Sequence, residues 1–233
     1  MLYEYIPGQS GLEREDIMKV AVSFSGGKDS MLALHEAAEA GHEVVALLVM
    51  YRGEAGRSWV HGIEPSLLTA MGEALNIPLI CYDARVDTYN EDMEAALRQA
   101  QALGAEGCVF GDIDTPIHRE WDESRCAAVG LTPLLPLWQR DRLACVHKTL
   151  DLGYRCLVKC VRNDILPETM LGEPLTRAMV EEIAALGADP CGENGEYHTV
   201  VVDGPLFRWP VAVEHRGNVK LEHITAADLG HAE

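Results

Sequence analysis

Short apolar runs alternate with amphipathic stretches along most of this chain, and glycines mark many of the turns between them. Residues 20–24 form a nearly continuous apolar run, followed by the polar segment SGGKDS and by a helical pattern over 30–40 that Gly41 ends. Further strands of the buried type are expected at 44–49, 78–82, 107–110 and 134–137. Helices are expected at 65–75, at 89–103 closed by Gly104, at 119–129, and at 140–152 closed by Gly153. Strands that read as continuous apolar runs and alternate with helices specify a parallel sheet covered on both faces. The expected fold over residues 18–153 is therefore α/β, a doubly wound parallel sheet. Such sheets bind ligands beyond the carboxyl ends of their strands, so chemistry is expected in the loops after Phe24, Met50, Tyr82 and Phe110.

Past residue 155 the texture changes. A strand at 156–161, a helix at 174–186, the loop DPCGENGEYH and short strands at 199–202, 211–214 and 219–223 describe a smaller α+β domain over 154–233. Residues 1–17 are polar and irregular and are expected to form an N-terminal extension.

Composition narrows the function classes. At 48% hydrophobic and 24% charged, the chain is of the globular type, and its apolar runs are too short for a spanning helix. The N-terminus lacks the basic and apolar regions of a signal peptide. Seven cysteines, an odd set without CxxC spacing, argue for a reducing compartment and against a four-cysteine zinc site, so the cytoplasm is expected. The formal charge of −18, with lysine only at 19, 28, 148, 159 and 220, repels phosphate backbones and anionic lipid surfaces. Neither nucleic acid nor membrane is expected as a partner, while a homodimer is left open.

The segment Ser25–Ser30 lies between a strand and a helix, the context a phosphate-binding turn needs. Gly26 and Gly27 allow the backbone to approach an anion, Ser25 and Ser30 add hydroxyls, and the helix N-terminus adds partial positive charge. Lys28 lies within the same turn. Asp29 would repel phosphate unless a divalent cation intervenes, which points to Mg2+. Neither GxxxxGK[ST] nor GxGxxG is present. The structural alternative is a plain strand-to-helix turn with Ser as N-cap. SGGKDS resembles the signature of the PP-loop ATP pyrophosphatases, which split ATP between the α and β phosphates and use the AMP half to activate an oxygen for attack by nitrogen or sulfur.

Two further segments narrow the resemblance. GDIDTPIHREW starts where the fourth strand ends, so Gly111 and Asp112 should face the crevice at the nucleotide and metal site. Arg119 and Glu123, four apart on a helix, read as a surface ion pair, and Cys126 reads more readily as a small buried hydrophobe than as a thiol nucleophile. CGENGEYHTVVVDGPLF places Glu193, Glu196 and His198 within six residues, and if already extended Glu196 and His198 share a face. Taken together, SGGKDS, GDI with the downstream HREW and PLW, and GENGEYHT followed by DGPLF look like the diphthine–ammonia ligase family, over residues 19–207. The resemblance implies an adenine nucleotide alpha hydrolase-like sheet of the HUP type and a C-terminal substrate domain facing the nucleotide. It also implies amidation of a carboxylate by ammonia, with ATP going to AMP and pyrophosphate. Family members of the diphthamide branch typically read GEGGEYET. Here Asn194 replaces a glycine and His198 stands where they carry glutamate, a pattern similar to a second branch suggested to act in corrinoid metabolism.

The resulting expectation is an AMP-forming ligase. Mg-ATP would lie on Ser25–Ser30, with Gly111 and Asp112 completing the nucleotide site, Asp29 and Asp112 holding Mg2+, and Asp29, Glu193, Glu196 and His198 forming the catalytic set. Its partners would be ATP, ammonia and a carboxylate acceptor, either a small molecule or a modified protein side chain. A PP-loop sulfur transferase and a nucleotide-binding sensor without turnover are the competing readings.

Overall fold

The computed structural model describes residues 17–53, 56–58 and 61–232, so residues 1–16 of the expected extension lie outside the described residues. The first sheet is built from β1 (Lys19–Ser23), β2 (Glu43–Arg52), β3 (Arg57–Ser58), β4 (Leu79–Asp83), β5 (Gly107–Val109) and β6 (Thr132–Leu134). Its parallel strands run in the order β4-β2-β1-β5-β6, and β3 pairs antiparallel with the far end of β2. The chain starts in the middle at β1 and winds outward in both directions, which makes the gap between the ends of β1 and β5 a topological switch point.

Helices cover both faces. Val20 and Val22 of β1 share a core with Met31 of α1 (Lys28–Glu39), Leu67 of α2 (Pro65–Leu75) and Val146 of α5 (Arg142–Asp151). Ala21 faces the other way, toward Met93 and Leu97 of α3 (Tyr89–Ala102) and Cys126 of α4 (Pro116–Val129). Local chemistry sets the helix ends. Pro65 and Pro116 sit in the first turns of α2 and α4, where a missing N–H costs nothing, and Asn76 and Gly130 end those helices in the left-handed region. Asp141 caps α5 by accepting from the Ala144 N–H at 2.8 Å.

The second sheet is antiparallel, in the order β8-β7-β10-β9, from β7 (Arg155–Arg162), β8 (Tyr197–Asp203), β9 (Val213–Lys220) and β10 (Ile224–His231), with α6 (Arg177–Ala185) beside it. Its core is continuous with that of the first sheet through Val158, Val180 and Val200. The architecture is thus a doubly wound α/β sheet with a smaller C-terminal α+β domain. No helix among the described residues is long and apolar enough to cross a membrane.

Several boundaries differ from expectation. The strand expected at 134–137 ends at Leu134, because only Thr132–Leu134 pair with β5 before the chain turns at Leu135–Trp138. The helix expected from 174 starts at Arg177, since Pro174 bridges to Leu157 and Thr176 then caps the helix through the Met179 N–H. The segments expected at 211–214 and 219–223 only overlap the two ends of one longer strand, β9, which forms a hairpin with the unanticipated β10.

Candidate active site

Loops from four parts of the chain meet at the switch point around a cavity of about 320 Å³. The first is the turn after β1. Gly26 takes φ +80°, open to glycine at no steric cost, and a Cβ there would also lie 2.9 Å from Ile63. Gly27 is the N-cap of α1 and has no side-chain cap, so the alternative of a serine-capped turn is not what forms. Instead the Ser25 hydroxyl accepts from the Gly27 N–H at 3.3 Å and lies 3.1 Å from the Ser30 hydroxyl. A helix start whose N-cap residue brings no side chain, lined by two hydroxyls, suits an anion.

The Lys28 side chain lines the cavity with its charge already paired. It is buried, its Nζ pairs with Asp29 Oδ2 at 2.7 Å, and it lies 5.3 Å from the centroid of the Tyr197 ring. Burial alone would lower its pKa, but Asp29 and the thiol, phenol and carboxylate around it win, and the ammonium is held above its ordinary value.

The loop after β5 abuts this turn. A Cβ on Gly111 would lie 2.9 Å from both Asp29 C and Ser30 N, so only glycine allows the two loops to touch. Asp112 faces the cavity and lies 3.0 Å from Nδ1 of His118. Behind it Asp122, 2% exposed on α4, has an Oδ2 that no donor reaches. Burial, and next the Asp112 carboxylate hydrogen-bonded to it, hold the Asp122 carboxyl far above the usual range, so it carries the proton between them.

The third contribution comes from the loop before β8 and from β8 itself. Val201 donates to the Gly26 carbonyl at 2.9 Å, and the Lys28 N–H donates to the Thr199 hydroxyl at 3.0 Å, which lays β8 along the phosphate turn. Glu193 and His198 both line the cavity. One ligand atom from each of Asp29, Cys191 and Glu193 lies within 4.8 Å of the others. Burial, then the charge of Asp29, raises the pKa of Glu193, while Lys28 and Arg142 draw it back.

Glu196 does not join them. The expectation that it shares a face with His198 fails because β8 begins only at Tyr197, after the turn. The Glu196 carboxylate points into its own loop and accepts from the Asp189 N–H at 3.0 Å, the Asn194 N–H at 3.1 Å and Asn194 Nδ2 at 3.2 Å.

The fourth contributor, His61, was not anticipated, although it lies in the loop after Met50 where chemistry was expected. Its ring packs over Gly27, where a Cβ would come within 2.3 Å, and against His198 at 4.7 Å between centroids. Its Nδ1 lies 2.8 Å from the Thr199 carbonyl, which can only accept, so Nδ1 carries the hydrogen. His61 also borders an adjoining cavity of about 120 Å³ lined by Phe24, Val49, Met50 and Tyr89. Burial, then its imidazole neighbour, drops the His61 pKa to about 3, and burial followed by Lys28 drops that of His198 to about 4.

For a cation, Asp29 and Glu193 supply the oxygen donors that Mg2+ prefers, whereas the thiol of Cys191 suits a softer metal. Asp112 is outside that group and is engaged with His118 and Asp122. Arg119 and Glu123 form the expected exposed ion pair at 2.6 Å, and Cys126 is fully buried behind the sheet.

The strand order, the SGGKDS turn and the cavity at the switch point define a PP-loop type of α/β nucleotide-binding protein. The family model described as the diphthamide synthase N-terminal domain matches residues 18–133, and that of the diphthamide synthase C-terminal domain matches residues 141–227. The chain belongs to the diphthine–ammonia ligase family. Relatives named diphthine–ammonia ligase include one from Danio rerio, 26% identical over 84% of this chain and 87% of that protein. Another, from Bos taurus, is 28% identical over 84% of this chain and 83% of that protein. A solved structure described as a predicted subunit of a tRNA methyltransferase from Methanocaldococcus jannaschii aligns at 17% identity and a TM-score of 0.43, covering 80% of this chain and 98% of that one.

Proposed function

We propose that the protein is an AMP-forming, ATP-dependent ligase that adenylates a carboxylate and amidates it with ammonia. The observation that carries this reading is the convergence of the SGGKDS turn, the GDID loop and the GENGEYH loop on one cavity. The relatives are named for joining diphthine to ammonia. Residues 18–153 would hold the nucleotide, and residues 154–233 would present the acceptor to it.

The turn Ser25–Ser30 would hold the pyrophosphate portion of ATP at the start of α1, with Gly111 keeping the second loop close. Mg2+ held by Asp29 together with the substrate phosphates would offset phosphate charge, leaving Glu193 free of the metal. The acceptor carboxylate oxygen attacks the α phosphorus, the bond to the β-phosphate oxygen breaks, and pyrophosphate leaves. Ammonia then adds to the acyl carbon and AMP departs, leaving the amide and one proton. Glu193 lines the cavity and would take that proton, since burial and Asp29 have already raised its affinity for one. His61 and His198 present neutral imidazoles to the same space. Because no protein nucleophile is required, the catalysis is positioning and charge stabilisation.

Replacement of the usual glutamate by His198 bears on the acceptor. A neutral imidazole gives a trimethylammonium group no counter-charge at that position, so an acceptor other than diphthine, a corrinoid-related acid among them, fits this variant. Sulfur transfer is disfavoured by Cys191, whose thiol lies 3.7 Å from Asp29: burial holds it well above its ordinary pKa.

The test is nucleotide product analysis with Mg-ATP and ammonium, with and without a panel of carboxylates that includes diphthine-bearing elongation factor and corrinoid acids. AMP and pyrophosphate should appear with one acceptor and vanish in Asp29→Ala. ADP as the product, or AMP at the wild-type rate in Asp29→Ala, refutes the assignment.

A further inference from the structure

Arg142, the first residue of α5, does not line the cavity, yet it touches both loops that do. Its Nε and Nη2 donate to the two oxygens of Asp114, each at 2.7 Å, in a planar fork. Its Nη1 donates to Asp189 Oδ2 at 2.5 Å and reaches Asn194 Oδ1 at 3.4 Å. Asp114 stands two residues beyond Asp112. The Asp189 carboxylate, 7% exposed, also accepts from the Cys191 N–H at 3.0 Å and the Glu193 N–H at 3.1 Å. One guanidinium therefore ties the loop of Asp112 to the loop of Cys191 and Glu193. That second loop turns through two glycines at φ +75° and +80°, Gly192 and Gly195, residues that restrict the backbone least.

We propose that Arg142 is a positioning residue: by bridging Asp114 and Asp189 it holds Glu193 and Cys191 against Asp29 at the phosphate turn. For the reaction this rests on the ligase reading; the clamp itself does not. Lysine cannot replace it, because an ammonium is a point charge without the rigid fork that grips one carboxylate in parallel and still reaches a second.

The experiment compares the full chain with Arg142→Gln, Arg142→Lys and Asp114→Asn. It measures Mg-ATP affinity by calorimetry, AMP formation with the acceptor found above, and iodoacetamide labelling of each cysteine by peptide mass spectrometry. Cys191 is fully buried within the clamped loop, while Cys108 and Cys126 are fully buried behind the first sheet and report on global opening. In Arg142→Gln, Cys191 should label about tenfold faster or more, with Cys108 and Cys126 at wild-type rates, because loss of the clamp opens one loop and not the fold. Its Kd for Mg-ATP should stay within about threefold while kcat falls about 100-fold, the scale of an ångström-sized misplacement. Arg142→Lys should resemble Arg142→Gln, and Asp114→Asn should move the same readings in the same direction. Wild-type labelling of Cys191 in Arg142→Gln, faster labelling of all three cysteines, or restoration of kcat by lysine each overturns the proposal. If the wild type yields no AMP with any acceptor, the ligase reading fails and the labelling together with ATP affinity still decides the clamp.

Discussion

The two neutral imidazoles at the cavity make stability depend on pH in a way that can be worked out. In the unfolded chain His61 and His198 take up a proton near pH 6.5; in the folded protein they resist until about pH 3 and about pH 4. Between those limits the unfolded state binds more protons, so the stability the pair contributes is complete above pH 6.5 and is lost as the pH falls. Each pH unit below 6.5 costs about 1.4 kcal/mol per imidazole, so at pH 5 the pair costs about 4 kcal/mol as an upper limit. Glu193 and Asp122 work in the opposite sense. Burial and neighbouring carboxylates raise both, the folded state binds their protons first, and acidification stabilises it. The wild-type profile alone is therefore blunted, and a difference measurement isolates the imidazoles. The variant is His61→Asn with His198→Gln, in which the asparagine amide can still donate to the Thr199 carbonyl. Urea unfolding followed by circular dichroism at pH 7, 6 and 5 gives the stability gap between the two proteins. Any advantage of the wild type should shrink by as much as about 4 kcal/mol between pH 7 and pH 5. Parallel curves would refute the reasoning, because they would mean that both rings are already open to protons in the native state.

Two substitutions probe the contacts that hold the cavity together. Gly111→Ala drives a methyl group against the backbone of Asp29 and Ser30, which has no room to yield; it should lower Mg-ATP affinity about tenfold or more and cost about 1–3 kcal/mol of stability, and wild-type calorimetry would sink it. Glu196→Ala strips the acceptor from three N–H donors in a part-buried loop, so the melting temperature should fall by the equivalent of about 1–2 kcal/mol, whereas an unchanged melting temperature with a lost kcat would restore Glu196 to the reacting groups.

Much of the fold was legible because the signals were local. The inner parallel strands β1, β2 and β5 are buried runs, and helices with their own stops separate the strands, so the alternation, and the crevice it implies, can be read without knowing the strand order. The C-terminal hairpin was not. The inward positions of β10 include Thr225, Ala227 and Leu229, of which only Leu229 is a large apolar side chain, so the strand leaves almost no hydrophobic trace. Its pairing with β7 and β9, not its own composition, makes it a strand. The same limit hid His61 and Arg142. His61 acquires its place through a carbonyl 138 residues away, and Arg142 through a carboxylate 47 residues away.

The acidic loop shows why residue type did not separate chemistry from architecture. Asp189, Glu193 and Glu196 are alike on paper, but a loop that doubles back through Gly192 and Gly195 turns several N–H groups inward. Buried donors left without acceptors cost about 1–3 kcal/mol each, so such a loop needs carboxylates for itself before it can offer one to a ligand. Asp189 takes the N–H groups of Cys191 and Glu193, and Glu196 takes those of Asp189 and Asn194. Glu193 is the carboxylate of the three that faces the cavity. Its raised proton affinity arises there from burial and the charge of Asp29, neither of which a one-dimensional pattern contains. The backbone's demand for acceptors thus assigns the roles within the loop, and the reacting position is the acid left over once that demand is met.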